Sequence, residues 1–505
     1  MSGEKSALKT EAGGGSGSDV ESSSFDDTLY SVTDQIAKEQ GNEVQYRTCS
    51  WQKTAGLLFS EYICLAILSF PWSYSVLGLV PGILLTIAVA ATVQYTSLVI
   101  WRFCLKHPEV RDVCDIGRIL CGGSQWGYHF TAVMFILNNT FIQGPSASYP
   151  IAGRGSIISL KDYTAWLVQG SSTRFRILDG APSVSGATLR SLLTSNHLMR
   201  FKSGVTAILC FVVSLPRTLN QLSGLGTFSA VTMAIAVLLA IVFAGIQSEP
   251  AGYIAGEPGI VTAWPVAGTT FVNGMSAFLN ISYTLIGQIT IPSFIAEMKE
   301  PKDFPKALWA VTICEIVVFS LCGSIMYHYV GNQYMTAPAF GALQPTYKKI
   351  AFSFAIPTII YLGSLYSSVT ARFLFFRIFQ NSKHKHSNTL IGWATWASII
   401  AVTWVFAFLI AELIPFFSDM LSLMSSLFDG WFGFIYWGMA YLLLHPGNTK
   451  WAGPLRSFET LVNYFLIVFG LFILVAGTYV SVQSIIDSYK AAAVGSVFTC
   501  VSNAL

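Results

Sequence analysis

The feature that most constrains this chain is a series of long apolar runs that follow one another from Trp51 to Ile486. Each run has roughly 17 to 25 residues with few or no charges, the length at which an α-helix crosses about 30 Å of hydrocarbon. We therefore predict an all-α integral membrane protein with about eleven transmembrane helices. The predicted spans lie near residues 53–76, 80–102, 126–146, 204–219, 222–247, 270–295, 307–330, 350–376, 389–413, 416–442 and 458–485.

Composition supports this class and gives little support to others. Apolar residues make up 53% of the 505 residues and charged residues 11%, about half the charged fraction that is usual in soluble proteins. The net charge of +3 is small, and no basic tract with interleaved aromatic residues indicates nucleic-acid binding. No phosphate-binding loop, nucleophile elbow or Cys/His metal spacing is present, so neither an enzyme nor a metal site is predicted.

Charge also predicts the organisation and orientation of the chain. Residues 1–47 are polar, acidic and rich in glycine and serine, which is typical of a disordered tail. Residues 48–486 form the predicted transmembrane domain, and 487–505 a short extracellular tail. Lysine and arginine concentrate in the loops after the even-numbered spans, so we expect a cytoplasmic amino terminus. The exception is the polar, basic segment 144–203: either a long extracellular loop that translocates regardless of charge, or an insertion or misannotated exon that would inactivate this form.

Two of the spans contain helix-breaking residues at mid-depth. Pro71 lies in the first span, and Gly287 and Pro292 lie in the sixth. A proline in a membrane helix either kinks it or frees backbone groups for a ligand. If five helices form each half of the protein, these two spans correspond, and interrupted helices in corresponding positions are typical of transporters built from inverted repeats.

Several motifs, in this order along the chain, resemble those of the amino acid/auxin permease family, and in particular its fungal neutral amino-acid permeases. These motifs are "ICLAILSFPWSY" at 63–74, "CDIGRIL" at 114–120, "SLPRTLNQLS" at 214–223, "NISYTLIGQITIPSFIAEMKEPKDFPKAL" at 280–308 and "IPFFSDMLSLMSSLFDGWFGFIYWG" at 414–438. The resemblance implies a leucine-transporter-type five-plus-five inverted repeat with broken helices 1 and 6, and amino-acid uptake coupled to a proton or sodium gradient. Cys64 and Ala66 depart from a family pattern that often has glycine there, which implies a less permissive break.

The two broken spans are the expected substrate site, since interrupted helices offer amides to a carboxylate and carbonyls or hydroxyls to an ammonium group. The predicted substrate-binding residues are Tyr62, Cys64, Leu65, Ala66, Asn280, Ser282, Tyr283 and Gly287. Asn138, Asn139 and Gln143 on the third span either face the pocket or form hydrogen bonds between helices.

A carboxylate inside the membrane is a functional hypothesis by default, since burying it there costs about 2.5 kcal/mol or more. Glu61 either carries a coupling proton, contacts the substrate ammonium group or only pins helix ends. Asp429 is a second candidate for ion coupling, while for Glu315 we expect pairing with a neighbour. Ser367 and Ser368 would complete a sodium-like site or simply pack.

We therefore predict a secondary active transporter for neutral amino acids that works by alternating access, with protons favoured over sodium and the plasma membrane over the vacuole. Its partners are an amino-acid substrate and the lipid bilayer, and it needs no cofactor beyond the coupling ion. The alternatives are an amino-acid sensor without coupled flux, and a channel.

Overall fold

The architecture follows from a chain whose helices are apolar on most of their faces. In the computed structural model, residues 47, 49–152, 208–217, 219–379, 382, 384, 387–413 and 417–490 are described. Within these residues the secondary structure is helical, apart from one isolated bridge between Cys49 and Met298. The predicted all-α class is confirmed.

The α-helices are numbered here in chain order. They are α1 Trp51–Tyr62, α2 Phe70–Leu77, α3 Leu79–Lys106, α4 Val113–Leu120, α5 Gln125–Ala152, α6 Leu219–Ile246, α7 Phe271–Leu285, α8 Ile291–Glu297, α9 Phe304–Val330, α10 Pro345–Ile378, α11 Leu390–Leu413, α12 Phe417–Met424, α13 Tyr436–Leu444, α14 Pro454–Phe472 and α15 Thr478–Lys490. Short 3₁₀ helices cover Leu65–Ser69, Pro301–Asp303, Ala339–Ala342 and Gly447–Trp451, and π-helical turns cover Ser425–Ile435 and Ile473–Gly477.

Every predicted span except the fourth coincides with a described helix or with consecutive helices. Seven helical stretches among the described residues are long and apolar enough to cross a membrane, and an eighth is present if α1 and the stretch 65–77 count as one bent span. Of the fourth span, only residues from 208 onward are described, and they are helical from 208 to 213. The first residues of the atypical segment 144–203 belong to α5, and the hypothesis about the rest of that segment lies outside the described residues.

The two broken spans lie in the middle of the helix packing. Helix α9 packs against α1, α2 and α3, while α7 packs against α2 and α12. Helix α10 packs against α5, α6 and α11. The interrupted helices are therefore surrounded by protein, which is the setting in which irregular backbone is tolerated at membrane depth.

The outer helices present large apolar side chains away from this packing. On α14, for example, Leu455, Phe458, Leu461, Phe465 and Val468 are all exposed. Such a surface would drive association in water, but it matches hydrocarbon. The exposed residues therefore support a membrane-embedded protein.

Candidate functional site

The first span is broken, but not where its proline lies. Helix α1 ends at Tyr62, Ile63 and Cys64 are not helical, and the 3₁₀ helix Leu65–Ser69 leads into α2. Pro71 occupies the first turn of α2, where its missing N–H costs no hydrogen bond. Our expectation of an interruption in this span is confirmed. The break lies at Ile63 and Cys64, within the stretch 62–66 that the family resemblance implied, and not at Pro71, because this proline begins a helix instead of breaking one.

The sixth span is broken where the sequence predicted. Helix α7 ends at Leu285, and α8 begins at Ile291 with Pro292 in its first turn. The five residues between them include Gly287, where an added Cβ would lie 2.7 Å from ring atoms of Tyr62. The two breaks therefore meet at this contact, and only glycine leaves room for the Tyr62 ring.

The carboxylate of Glu61 lies at the end of α1, directly before the break, and is 4% exposed. The Tyr366 hydroxyl on α10 donates to its Oε1 at 2.5 Å. The Thr290 hydroxyl lies 2.9 Å from Oε1, 3.2 Å from Oε2 and 2.9 Å from the carbonyl oxygen of Gly287, so these acceptors share its one proton. Glu61 therefore joins α1 to the sixth-span break and to α10 through neutral hydroxyl donors.

A cavity lies next to this carboxylate, between the two broken spans and the third, eighth and tenth. Its lining residues are Glu61, Tyr62, Cys64, Asn138, Ile142, Tyr283, Thr284, Ile286, Gly287, Ile289, Leu362, Tyr366, Phe428, Asp429 and Phe432. The lining thus combines hydroxyl, amide and carboxyl groups with a large apolar share. A concave site of this kind is typical of small-molecule binding.

Asp429 contributes a second carboxyl group to the cavity from the π-helical segment Ser425–Ile435. It is 5% exposed, and its Oδ2 has no hydrogen-bond partner among the described residues. Single π turns inside α-helices occur frequently at functional sites. A buried oxygen without a partner is costly, so Asp429 is available to a ligand or an ion.

The cavity brings together part of the predicted site. The predicted residues that line it are Glu61, Tyr62, Cys64, Asn138, Tyr283, Gly287 and Asp429. Their roles in binding or coupling stay predictions, because their proximity in the structure does not assign a function to each.

Other predicted substrate residues lie outside this lining. Leu65 and Ala66 are buried in an apolar cluster. The side-chain Nδ2 of Asn280 donates to the Ser418 hydroxyl at 2.8 Å, and its side-chain Oδ1 accepts from the Ser422 hydroxyl at 3.1 Å. Ser282 is fully buried. Asn280 therefore connects α7 to α12, and its role in substrate binding, like those of Leu65, Ala66 and Ser282, stays a prediction.

The serines proposed for a sodium-like site form hydrogen bonds to other helices. Ser367 Oγ lies 3.1 Å from Thr403 Oγ1 on α11. Ser368 donates to the carbonyl oxygen of Ser214 at 3.1 Å. On the third span, the Asn139 amide donates to the Thr370 hydroxyl at 2.9 Å. The Asn139 contact matches the hydrogen bonding between helices that was one alternative for the third span. The sodium site at Ser367 and Ser368 stays a prediction.

Two residues at the centre of the site, Tyr366 and Thr290, were missed by the sequence analysis. Tyr366 lies in the hydroxyl-rich stretch 363–373, which also contains Ser367 and Ser368 of the predicted sodium-like site. The available signal was Glu61 itself, because a buried carboxylate needs strong donors, and tyrosine is among the donors in that run.

Comparison with known proteins identifies the family of this chain. A family model described as transmembrane amino acid transporter protein matches residues 47–483. The chain belongs to this family. The resemblance drawn from the motifs is confirmed, and an enzymatic function is excluded because the family consists of transporters.

Two fungal proteins and two solved structures are similar to this chain over most of their length. The N amino acid transport system protein of Neurospora crassa is 29% identical over 470 residues, covering 93% of this chain and 92% of that protein. A transmembrane transporter of Gibberella moniliformis is 26% identical over 480 residues, and the match covers 94% of this chain and 92% of that protein. One similar solved structure is Mhp1, a nucleobase-cation-symport-1 family transporter in a closed conformation with bromovinylhydantoin bound. Its TM-score is 0.48 at 11% sequence identity, and the match covers 90% of this chain and 96% of the Mhp1 chain. A second is MhsT in complex with L-phenylalanine, with a TM-score of 0.48 at 13% sequence identity; the match covers 89% of this chain and 100% of the MhsT chain.

Proposed function

We propose that this member of the transmembrane amino acid transporter family takes up neutral amino acids together with protons, by alternating access around the cavity between its broken spans. The observation that carries the proposal is the position of Glu61, which lines the cavity while accepting hydrogen bonds from Thr290 in one broken span and from Tyr366 on α10. A change in the protonation of this carboxylate alters contacts between elements that must move relative to one another.

The two interruptions support the recognition of an amino acid. Broken helices leave backbone N–H and C=O groups without helical partners, and these groups match the carboxylate and ammonium groups that all α-amino acids share. Tyr62, Tyr283 and Thr284 add hydroxyl groups to the same cavity. The common part of the substrate therefore binds at the breaks.

The rest of the lining supports neutral side chains. Ile142, Ile289, Leu362, Phe428 and Phe432 form its apolar part, and no lysine, arginine or histidine is among the lining residues. An acidic side chain would meet the carboxyl groups already present without a compensating cation, and a basic one would have to lose its hydration against this apolar part.

Protons are favoured over sodium by the partners of the candidate groups. The hydrogen bonds of Glu61 come from hydroxyls that hold a carboxyl group in either protonation state. Ser367 and Ser368, which would complete a sodium-like site, already contact Thr403 and the Ser214 carbonyl. We also propose that the amino terminus lies in the cytoplasm, on the basis of the loop charges. A plasma-membrane location is a separate part of the proposal.

The test is uptake of labelled neutral amino acids in cells that lack their own uptake, at acidic and neutral external pH, with sodium and with sodium replaced by an organic cation. The proposal predicts saturable uptake that increases with acidity and does not depend on sodium. Binding without flux would instead indicate a sensor. No binding or flux from protein at the cell surface, recovered when residues 144–203 are replaced by a helix typical of the family, would indicate a form inactivated by that segment.

A further inference from the structure

The cavity contains one more carboxyl group than the proposed proton coupling uses. Glu61 and Asp429 both line it, and no lysine, arginine or histidine is among the lining residues. An amino acid brings an ammonium group into this lining, and a cation taken out of water is costly unless a counter-charge and acceptors replace its hydration. Glu61 and Asp429 are therefore the two candidates for the counter-charge of the substrate.

A third buried carboxyl group lies outside the lining. Glu315 on α9 is 3% exposed and does not line the cavity. Its Oε1 has no hydrogen-bond partner among the described residues, so the pairing with a neighbour that we expected for Glu315 is wrong for this oxygen. Because it is separated from the lining, Glu315 is not a candidate for contact with a ligand in the cavity.

Both oxygens of Glu61 have a neutral donor within the protein. The Tyr366 hydroxyl lies 2.5 Å from Oε1. The Thr290 hydroxyl lies 2.9 Å from Oε1 and 3.2 Å from Oε2. The environment of Glu61 thus suits a group that gains and loses a proton while its hydroxyl partners stay in place.

Asp429 differs from Glu61 in this respect. Its Oδ2 is buried without a hydrogen-bond partner, and no ion pair among the described residues includes Asp429. A buried carboxylate is destabilising unless an opposite charge or donors compensate for the water it has lost. An ammonium group supplies a positive charge and three N–H donors, so it compensates a deficit that exists at Asp429 and not at Glu61.

The segment that carries Asp429 packs against the sixth-span break. An added Cβ at Gly433 would lie 2.8 Å from Cδ1 of Ile286, a residue of that break. Since residues four apart share a helix face, Asp429 lies on the same side of the π-helical segment as this contact. Ile286, Gly287 and Asp429 all line the cavity. An ammonium group bound at the break therefore enters the same cavity as the Asp429 carboxyl group.

We propose that Asp429 binds the α-ammonium group of the substrate, together with backbone carbonyl groups of the broken spans, while Glu61 takes the coupling proton. This inference rests on the proposed function and deepens it, because it divides two tasks between two carboxyl groups. It gives Asp429 a role in substrate recognition in place of the ion coupling that the sequence suggested. The site then requires a cationic amine, and α-hydroxy acids of the same shape are poor ligands.

The experiment compares an amino acid with the α-hydroxy acid that has the same side chain but no ammonium group. The pairs are L-alanine with L-lactate, L-leucine with L-2-hydroxy-4-methylpentanoate, and L-phenylalanine with L-3-phenyllactate, and the pair whose amino acid is taken up best is used. Ligand-induced thermal stabilisation of the purified protein gives both dissociation constants without requiring transport. We expect Asp429→Asn to lower the preference for the amino acid about 10-fold or more, because a hydrogen bond between charged groups is lost for that ligand alone.

Two comparison variants identify the carboxyl group that is responsible. Glu61→Gln should keep the preference for the amino acid. Asp419→Asn is the matched control on the same span, because Asp419 lies outside the lining and accepts from Ser484 and Ser488 at 2.6 and 2.7 Å. It should also keep the preference. Equal weakening or loss of both ligands in Asp429→Asn would overturn the inference, as would a preference that falls as far in Glu61→Gln.

If Asp429→Asn does not fold, the unmodified chain decides. An apolar carbodiimide modifies carboxyl groups in apolar surroundings, and mass spectrometry locates the product. The amino acid should protect Asp429 from modification more strongly than the α-hydroxy acid does, and equal labelling with the two ligands would overturn the inference. No binding of any of the three amino acids would overturn the proposed function itself, whereas binding with an unchanged preference in Asp429→Asn overturns only the role of Asp429.

Discussion

The Tyr366 hydroxyl lies 2.5 Å from Oε1 of Glu61, although 305 residues separate the two along the chain. Thr290 donates to the same carboxylate. The first span, the sixth-span break and α10 thus share one titratable group. In the proposed alternating access these elements separate and meet again, so the proposal assigns to this carboxylate the link between a proton and their movement.

Removal of the Tyr366 hydroxyl should impair transport. A hydrogen bond to a charged group contributes about 1.5–3 kcal/mol, so Tyr366→Phe should lower Vmax/KM for uptake about 10-fold or more. Tyr361→Phe is the matched control on the same helix, because the Tyr361 hydroxyl is buried without a partner among the described residues. Initial uptake rates, normalised to surface protein, check the prediction. Equal losses in both variants would show that the Glu61 contact has no special role.

The contact between the two breaks should not tolerate a methyl group. Gly287→Ala would place a Cβ 2.7 Å from the Tyr62 ring, so we expect uptake to fall to a small fraction of the original rate. Gly274 lies on α7 with no atom within 4 Å of an added Cβ. Gly274→Ala should therefore keep full uptake and add up to about 1 kcal/mol of stability from helix propensity. Kinetics and thermal unfolding of both variants provide the comparison, and normal transport by Gly287→Ala would contradict this view of the breaks.

A buried ion pair joins the end of the sixth span to α10. The Arg372 guanidinium contacts the Glu297 carboxylate, and both side chains are largely buried. Removal of one member of a buried pair costs roughly 3–5 kcal/mol, because the other charge stays buried. Arg372→Gln should thus lower the unfolding temperature strongly, and Arg372→Gln combined with Glu297→Gln should recover part of the loss.

The control for that ion pair is an exposed one. Lys306 lies 2.6 Å from Asp303 with 61% of its side chain exposed, and such pairs contribute about 0–1 kcal/mol. Lys306→Gln should leave the unfolding temperature almost unchanged. If Arg372→Gln combined with Glu297→Gln is no more stable than Arg372→Gln alone, the two buried side chains do not contribute to stability as a pair.

Asp112, in the loop before α4, predicts a pH dependence of stability. Its side chain caps α4 by accepting from the Cys114 and Asp115 amides. Burial, and then the neighbouring Asp115 carboxylate, raise the pKa of Asp112 from 3.8 to about 6. Because the folded state binds this proton more tightly than the unfolded chain, its contribution to stability grows as pH falls through 6 and is complete below 3.8.

The measurement for Asp112 is thermal unfolding in detergent at pH 7.5 and pH 5, compared with Asp112→Asn, which keeps the capping oxygen. The variant should be at least as stable as the unmodified chain at pH 7.5, and its advantage should shrink at pH 5. A difference that stays constant across this range would contradict the prediction.

The sequence was informative about which spans carry the site and less informative about which of their side chains face it. Uninterrupted apolar runs predict spans because the bilayer demands them, and the sixth-span break follows from Gly287 and Pro292. In the first span, the proline signal alone misplaces the break at Pro71, because a proline fits the first turn of a helix as well as it interrupts one, whereas the family resemblance implied the stretch around Cys64. Local sequence does not distinguish the two.

Hydrophobic periodicity does not predict which face of a helix is directed to the site when the helix is buried on most sides. On α10, Ser367, Ser368 and Tyr366 are all buried, yet only Tyr366 of the three lines the cavity. Asn280, likewise, is directed to α12 by Ser418 and Ser422, partners more than 130 residues away. Such contacts depend on the packing of distant helices, so a sequence pattern shows only that a polar residue needs a partner.

The most direct test of the central claim separates substrate movement from proton movement in proteoliposomes. The unmodified chain should accumulate a neutral amino acid against its gradient when an inward proton gradient is imposed. Glu61→Gln should still exchange labelled for unlabelled substrate across the membrane, but should not accumulate it. Accumulation by Glu61→Gln that equals the unmodified chain at every pH would contradict the claim that Glu61 carries the coupling proton.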